Sequence, residues 1–109
     1  MNNRRGILIR SREQTIAEVF SSQWDNGEIK EVLRDNWQDI AFFTIRGDTI
    51  VVSALPNVGG DRQQHHRSGF ELFGRRYYGD ALIIAGENRD TLQITPPEIV
   101  SDIRFFQED

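Results

Sequence analysis

The sequence predicts an α+β fold: an antiparallel β-sheet built from hairpins, with two short helices packed on one face. Three observations carry that expectation. Apolar and β-branched residues come in short runs broken by turn residues, as in "GILIRSREQTIAEVF" and "IAFFTIRGDTIVVSAL". Two other stretches, "WDNGEI" and "ITPPEI", carry the grammar of a helix start. The length of 109 residues suits one domain spanning the chain, near the commonest domain size.

In chain order, Ile7 and Ile9 alternate with Leu8 and Arg10, then Ile16, Glu18 and Phe20 with Ala17 and Val19. This predicts two strands around a polar turn near Ser11 to Gln14. Asp25 is a good N-cap with Glu28 three residues on, the capping-box spacing, while Trp24 and Ile29 are placed for a hydrophobic staple. Ile29, Val32, Leu33 and Trp37 share one face, which predicts a helix from about Asn26 to Asn36. Two β-rich runs flank Gly47-Asp48, a pair suited to a tight hairpin turn. The letters "RGD" at Arg46 to Asp48 therefore read as a turn rather than an adhesion motif. Pro56 to Ser68 has Gly59-Gly60 and no apolar periodicity, so it reads as a surface loop. "GFELFG" suits a short strand or helical turn, and "YYGDALIIAG" and "TLQI" suit a hairpin-like pair around "ENRD". At the end, Thr95 as N-cap, Pro96 at the first helical position and Glu98 predict a second helix, with Ile94 and Ile99 as its staple. Ile99, Val100, Ile103 and Phe106 fall on its apolar side.

Composition narrows the function classes. No cysteine is present, which excludes disulfides, thiolate metal sites and thiol nucleophiles. No apolar run approaches the roughly 18 residues of a membrane span, and the N-terminal stretch turns polar after Ile9, too early for a signal-peptide core. The expectation is a cytoplasmic protein without membrane partners. A net charge of -4 argues against general nucleic-acid binding, which needs an excess of cations. Charge is unevenly spread, however. Between Asn57 and Asp80, four arginines face Asp61, Glu71 and Asp80, which leaves +1 there and -5 on the rest of the chain. Lys30 is the only lysine. Arginine suits planar, bidentate contacts better than lysine does.

That segment holds the candidate site. Arg75, Arg76, Tyr77 and Tyr78 stand together in "GRRYYG", with Arg62, His65, His66 and Arg67 just upstream. Arginines with aromatic neighbours grip phosphates, stack on bases and anchor protein interfaces. In a strand, Arg75 and Tyr77 would share one face, Arg76 and Tyr78 the other. The alternative is that the tyrosines edge the core and the arginines solvate its rim. Gly69 and Gly74 have the spacing of a phosphate loop, but Arg75 and Arg76 stand where Lys and Ser or Thr belong. His65 and His66 are adjacent, so they cannot easily share one ion. Neither a metal nor a cofactor is expected. No spacing arranges serines and carboxylates for catalysis.

Gly79, the "ALIIAG" strand to Gly86, Thr95, Glu98 and Ile99 follow an outline of glycine, apolar strand, glycine, polar turn and helix start. In this the last third of the chain resembles an uncharacterised family of short proteins encoded by phages, plasmids and other mobile elements. The resemblance implies a small non-enzymatic binding protein that sequesters or inhibits a host component, such as one of its defences. It transfers no catalytic residue. The residues offer the Arg62 to Tyr78 region for the contact, with a host protein or a phosphate-bearing small molecule as partner. Two alternatives stand beside this reading. One is an acidic mimic of nucleic acid, using Asp25, Glu28, Glu31, Asp35 and the C-terminal "QED" against a nuclease or DNA-binding protein. The other is an enzyme on phosphate-containing substrates, with His65 or His66 as general acid or base. Exposed strand edges would permit a homo-oligomer through sheet extension.

Overall fold

A computed structural model describes residues 4–33, 40–53, 68–86 and 91–107. The first strands are β1 (Arg4–Arg10) and β2 (Thr15–Ser21), joined through a turn at Ser11 to Gln14. Helix α1 (Asn26–Leu33) follows, then β3 (Ile40–Ile45) and β4 (Asp48–Ser53). After them come β5 (Ser68–Leu72), β6 (Arg75–Tyr78), β7 (Ala81–Ile84), helix α2 (Pro96–Asp102) and β8 (Arg104–Gln107). The α+β class and the antiparallel hairpins are those the sequence predicts.

The strands divide between two sheets, in the orders β2-β1-β7-β4-β3 and β6-β5-β8, with every pairing antiparallel. The period of two decides what each strand feeds. Ile7 and Ile9 of β1, Ile50 and Val52 of β4, and Ala81 and Ile83 of β7 turn to one face of the large sheet. There they meet Phe70, Leu72 and Tyr77 of the small sheet. Leu8, Val51 and Leu82 turn to the other face, where Ile29 and Leu33 of α1 cover them. Central strands buried on both faces need apolar residues at every position, which is why "ILI", "IVV" and "ALII" read as continuous runs. Ile99 of α2 joins the core between the sheets. The two helices thus serve opposite faces of the large sheet, where the sequence reading put both on one. The small sheet packs on the face that α2 joins, through Phe70, Leu72 and Tyr77.

The first helix starts as predicted. Asp25 accepts the Glu28 N–H at 2.8 Å, and the Glu28 carboxylate accepts the Asp25 N–H at 3.4 Å, a reciprocal capping box. Trp24 packs on the same cluster as Ile29. The predicted continuation to Asn36 lies outside the described residues. At α2 the cap differs: the Thr95 side chain makes no capping bond, and its backbone carbonyl takes the Glu98 and Ile99 amides instead. Pro96 does begin the helix.

Two corrections concern the C-terminal third. Leu92 to Ile94 do not form a strand; the Gln93 and Ile94 amides donate to the Asp48 carboxylate, with 2.7 Å for Ile94. Helix α2 stops at Asp102, and Arg104 to Gln107 run as β8 against β5. Ile103 and Phe106 therefore do not lie on a helix face. Phe105 turns inward to Phe70, with ring centres 6.4 Å apart.

Both tight hairpins turn through two residues at positive φ: Arg46 (47°) with Gly47 (86°), and Phe73 (50°) with Gly74 (80°). The first turn thus falls one residue before the expected Gly47-Asp48, because Asp48 pairs with Ile45 as the first residue of β4. This mirror-image turn matches the twist of the flanking strands. The two tips touch, the Arg46 guanidinium lying 3.8 Å above the Phe73 ring. Phe73 N–H also donates to the Asp102 carboxylate at 2.5 Å, which ties the tip to the end of α2. With Asp48 only 1% exposed and its oxygens occupied, the tripeptide "RGD" is not presented as an adhesion loop.

A polar cluster closes the other end of the large sheet. Arg10 pairs with Asp80 at 3.2 Å and donates to the Val32 carbonyl, while Ser11 N–H donates to Asp80 and its hydroxyl to the Gly79 carbonyl. Burial raises the Asp80 carboxyl above its ordinary value, opposed by the Ser11 amide and Arg10.

Candidate functional site

The small sheet carries the "RRYY" segment as β6, and alternation separates its residues. Tyr77 points into the core, 5% exposed, and stacks on Phe70 at 5.2 Å between ring centres. Arg75 lies on the same side, its guanidinium 4.4 Å above Phe43 at the margin of the core. Arg76 and Tyr78 lie on the outer side. The strand prediction of paired faces matches this geometry, and only Arg76 and Tyr78 of the four lie on that outer surface. Arg62, His65, His66 and Arg67 lie outside the described residues.

Register builds the outer face. Gly69 stands opposite both Tyr78 and Phe106, giving a row Tyr78–Gly69–Phe106 across the three strands. Glu71 stands opposite both Arg76 and Arg104, giving a second row of alternating charge. Gly69 has no side chain because no room exists for one: a Cβ there would lie 2.2 Å from the Tyr77 carbonyl oxygen and 2.5 Å from the Phe106 ring. The Tyr78 and Phe106 rings meet edge to face, 5.4 Å apart at 82°. Arg76 lies flat over Phe106 at 4.0 Å and reaches Glu71 at 4.0 Å. Its guanidinium is therefore held by a cation–π contact and an ion pair at once. Arg76, Glu71 and Arg104 are exposed; the two rings are half-buried.

Sequence reading missed Phe106, Arg104 and Glu71 as partners of the arginine–tyrosine pair. One signal could have found two of them. "RFFQ" alternates one aromatic inward and one outward, and lies just beyond Ser101-Asp102, residue types that break a helix. The helical spacing of Ile99, Ile103 and Phe106 concealed it.

Tyr77 also carries a pH signature. Burial pushes its phenol above the ordinary 10.0, against the downward pull of Arg75. The folded state thus holds this proton more tightly than the unfolded chain does. The contribution is fully present below pH 10.0 and is lost as pH rises through the folded value. Urea unfolding between pH 9 and 11 is expected to show a shallower alkaline loss of stability for Tyr77→Phe than for the native chain. Equal slopes would mean that Tyr77 is not the group responsible.

Among the described residues, no three His, Cys, Asp or Glu side chains gather to hold a metal ion, and no helix is long and apolar enough to cross a membrane. No family model matches the chain, and neither a curated protein nor a solved structure matches it.

Proposed function

We propose that this is a small non-enzymatic binding protein that works through the outer face of its three-stranded sheet. The observation that carries the reading is the exposed Arg76–Glu71–Arg104 row laid beside the Tyr78–Gly69–Phe106 row. Arginine and aromatic residues are the usual anchors of protein interfaces, and here one arginine is held flat before any partner arrives. A protein surface suits this face better than a phosphate group. Glu71 between the two arginines interrupts the positive field a phosphate would seek, and Arg76 rests on a ring instead of projecting a fork outward. In keeping with the phage and mobile-element resemblance, the partner is a bacterial host protein that this chain sequesters or inhibits.

The acidic-mimic alternative is less well supported. Asp25 and Glu28 are engaged with each other in the capping box, and Glu28 also accepts from the Ser21 hydroxyl. Asp35 lies outside the described residues.

Affinity capture from bacterial lysate tests the proposal, with Arg76→Ala and Arg104→Glu as variants. The captured protein is expected to bind each variant at least about tenfold more weakly, about 1.4 kcal/mol or more. Capture undiminished by both substitutions would remove this face from the function. Capture of nothing by the native chain, together with a nucleotide-like mass retained in native mass spectrometry, would restore the phosphate-bearing ligand.

A further inference from the structure

We infer that a second copy of this chain docks along β3, joining two large sheets into one across a two-fold axis at Phe42. This surface is separate from the outer face of the small sheet, and the inference does not rest on the function proposed above.

Among the described residues, β3 has β4 on one side and no strand on the other. The hairpin geometry shows which of its backbone groups point outward. Ile45 and Asp48 close a two-residue turn, so they form the bonded pair next to it. Bonded pairs alternate along an antiparallel ladder, which assigns Phe43 and Ala41 to β4 as well. Ile40, Phe42 and Thr44 are left with their N–H and C=O groups directed to the open edge. Such a row is complemented by the edge of another strand.

The side chains specify a copy of the same strand. "IAFFTI" contains no charge, proline or glycine, the devices that normally guard an edge. Pairing it with itself opposes no like charges. With the two-fold axis at Phe42, this ring meets its counterpart, Ile40 meets Thr44, and Ala41 meets Phe43. That register uses every outward backbone group of the strand. It also covers Phe42, one of the large apolar side chains left exposed, at 49%. The opposite edge is guarded. Glu18 stands at the middle of β2, paired with Arg5 at 3.5 Å, and a two-fold there would bring two such carboxylates together.

Sedimentation velocity across a concentration series tests the inference. The native chain is expected to approach twice its mass of 12.6 kDa in the micromolar range. Phe42→Lys would place like charges across the axis and weaken the dimer at least about tenfold. Thr44→Pro would remove one outward N–H while sparing the bonds to β4, with the same direction of effect. Phe20→Lys, at an exposed residue of the guarded edge, should leave the dimer intact. Far-UV circular dichroism of each variant confirms that monomers are folded. A native chain that stays monomeric throughout, or a dimer indifferent to both folded β3 variants, would overturn the inference.

Discussion

Replacing Asp48 with alanine is expected to destabilise the protein by about 3–4 kcal/mol, with a melting temperature lower by roughly 15–25 °C. Asp48 is 1% exposed, and its carboxylate accepts the Gln93 N–H on both oxygens at 3.0 Å and the Ile94 N–H at 2.7 Å. Alanine strands both amides, and a buried donor without an acceptor costs about 1–3 kcal/mol. The same bonds hold Leu92 and Ile94 in the core, so their burial weakens too. Against a typical total of about 5–15 kcal/mol, this is a large fraction. Asp48→Asn keeps one carbonyl acceptor and turns a donor toward the second amide, so its loss should fall between the native chain and Asp48→Ala. Urea unfolding measures all three. A loss below about 1 kcal/mol for alanine would show that the carboxylate does not hold the 92–94 segment.

Adding a single methyl group at Gly69 is expected to cost about 3 kcal/mol and to dismantle the outer face of the small sheet. The new Cβ would meet a backbone oxygen, that of Tyr77, at 2.2 Å, and the Phe106 ring at 2.5 Å and 3.0 Å. A ring can rotate away, whereas the carbonyl moves only if β5 and β6 part. Gly74→Ala is the informative comparison. Its Cβ would meet nothing within 4 Å, but the backbone stands at φ 80°, so only conformational strain of about 1–2 kcal/mol is expected. Gly69→Ala should also displace Arg76 from Phe106, and binding of any partner at this face should fall more than stability alone predicts. Near-ultraviolet circular dichroism, which reports the packing of Tyr78, separates the two effects. An unchanged aromatic signal with native stability would mean that the Tyr78–Gly69–Phe106 row is not packed as described.

What was legible in the sequence was local. The capping box from Asp25 to Glu28 spans four residues, and its two bonds form wherever those residues meet a helix start. The β3–β4 hairpin was legible from the β-rich runs on either side of Gly47, all within fourteen consecutive residues from Ile40 to Ser53, although its turn falls at Arg46-Gly47 and not at the expected Gly47-Asp48. The separation of Arg75 and Tyr77 from Arg76 and Tyr78 needed only the period of a strand.

Tertiary structure decided whatever depends on a partner far along the chain. "TLQI" resembles a strand, yet its amides meet the Asp48 carboxylate 45 residues away and never enter a ladder. Ile103 and Phe106 satisfy a helical spacing as well as "RFFQ" satisfies a strand, and a run this short cannot arbitrate between them. Phe70 arbitrates, because Phe105 covers it only if Arg104 to Gln107 extend beside β5. That pairing brings Phe106 and Arg104 to Tyr78 and Arg76, which creates the candidate face. Propensity and capping act over a few residues and are written in order. Which apolar faces bury each other is settled only when distant strands compete for the same core.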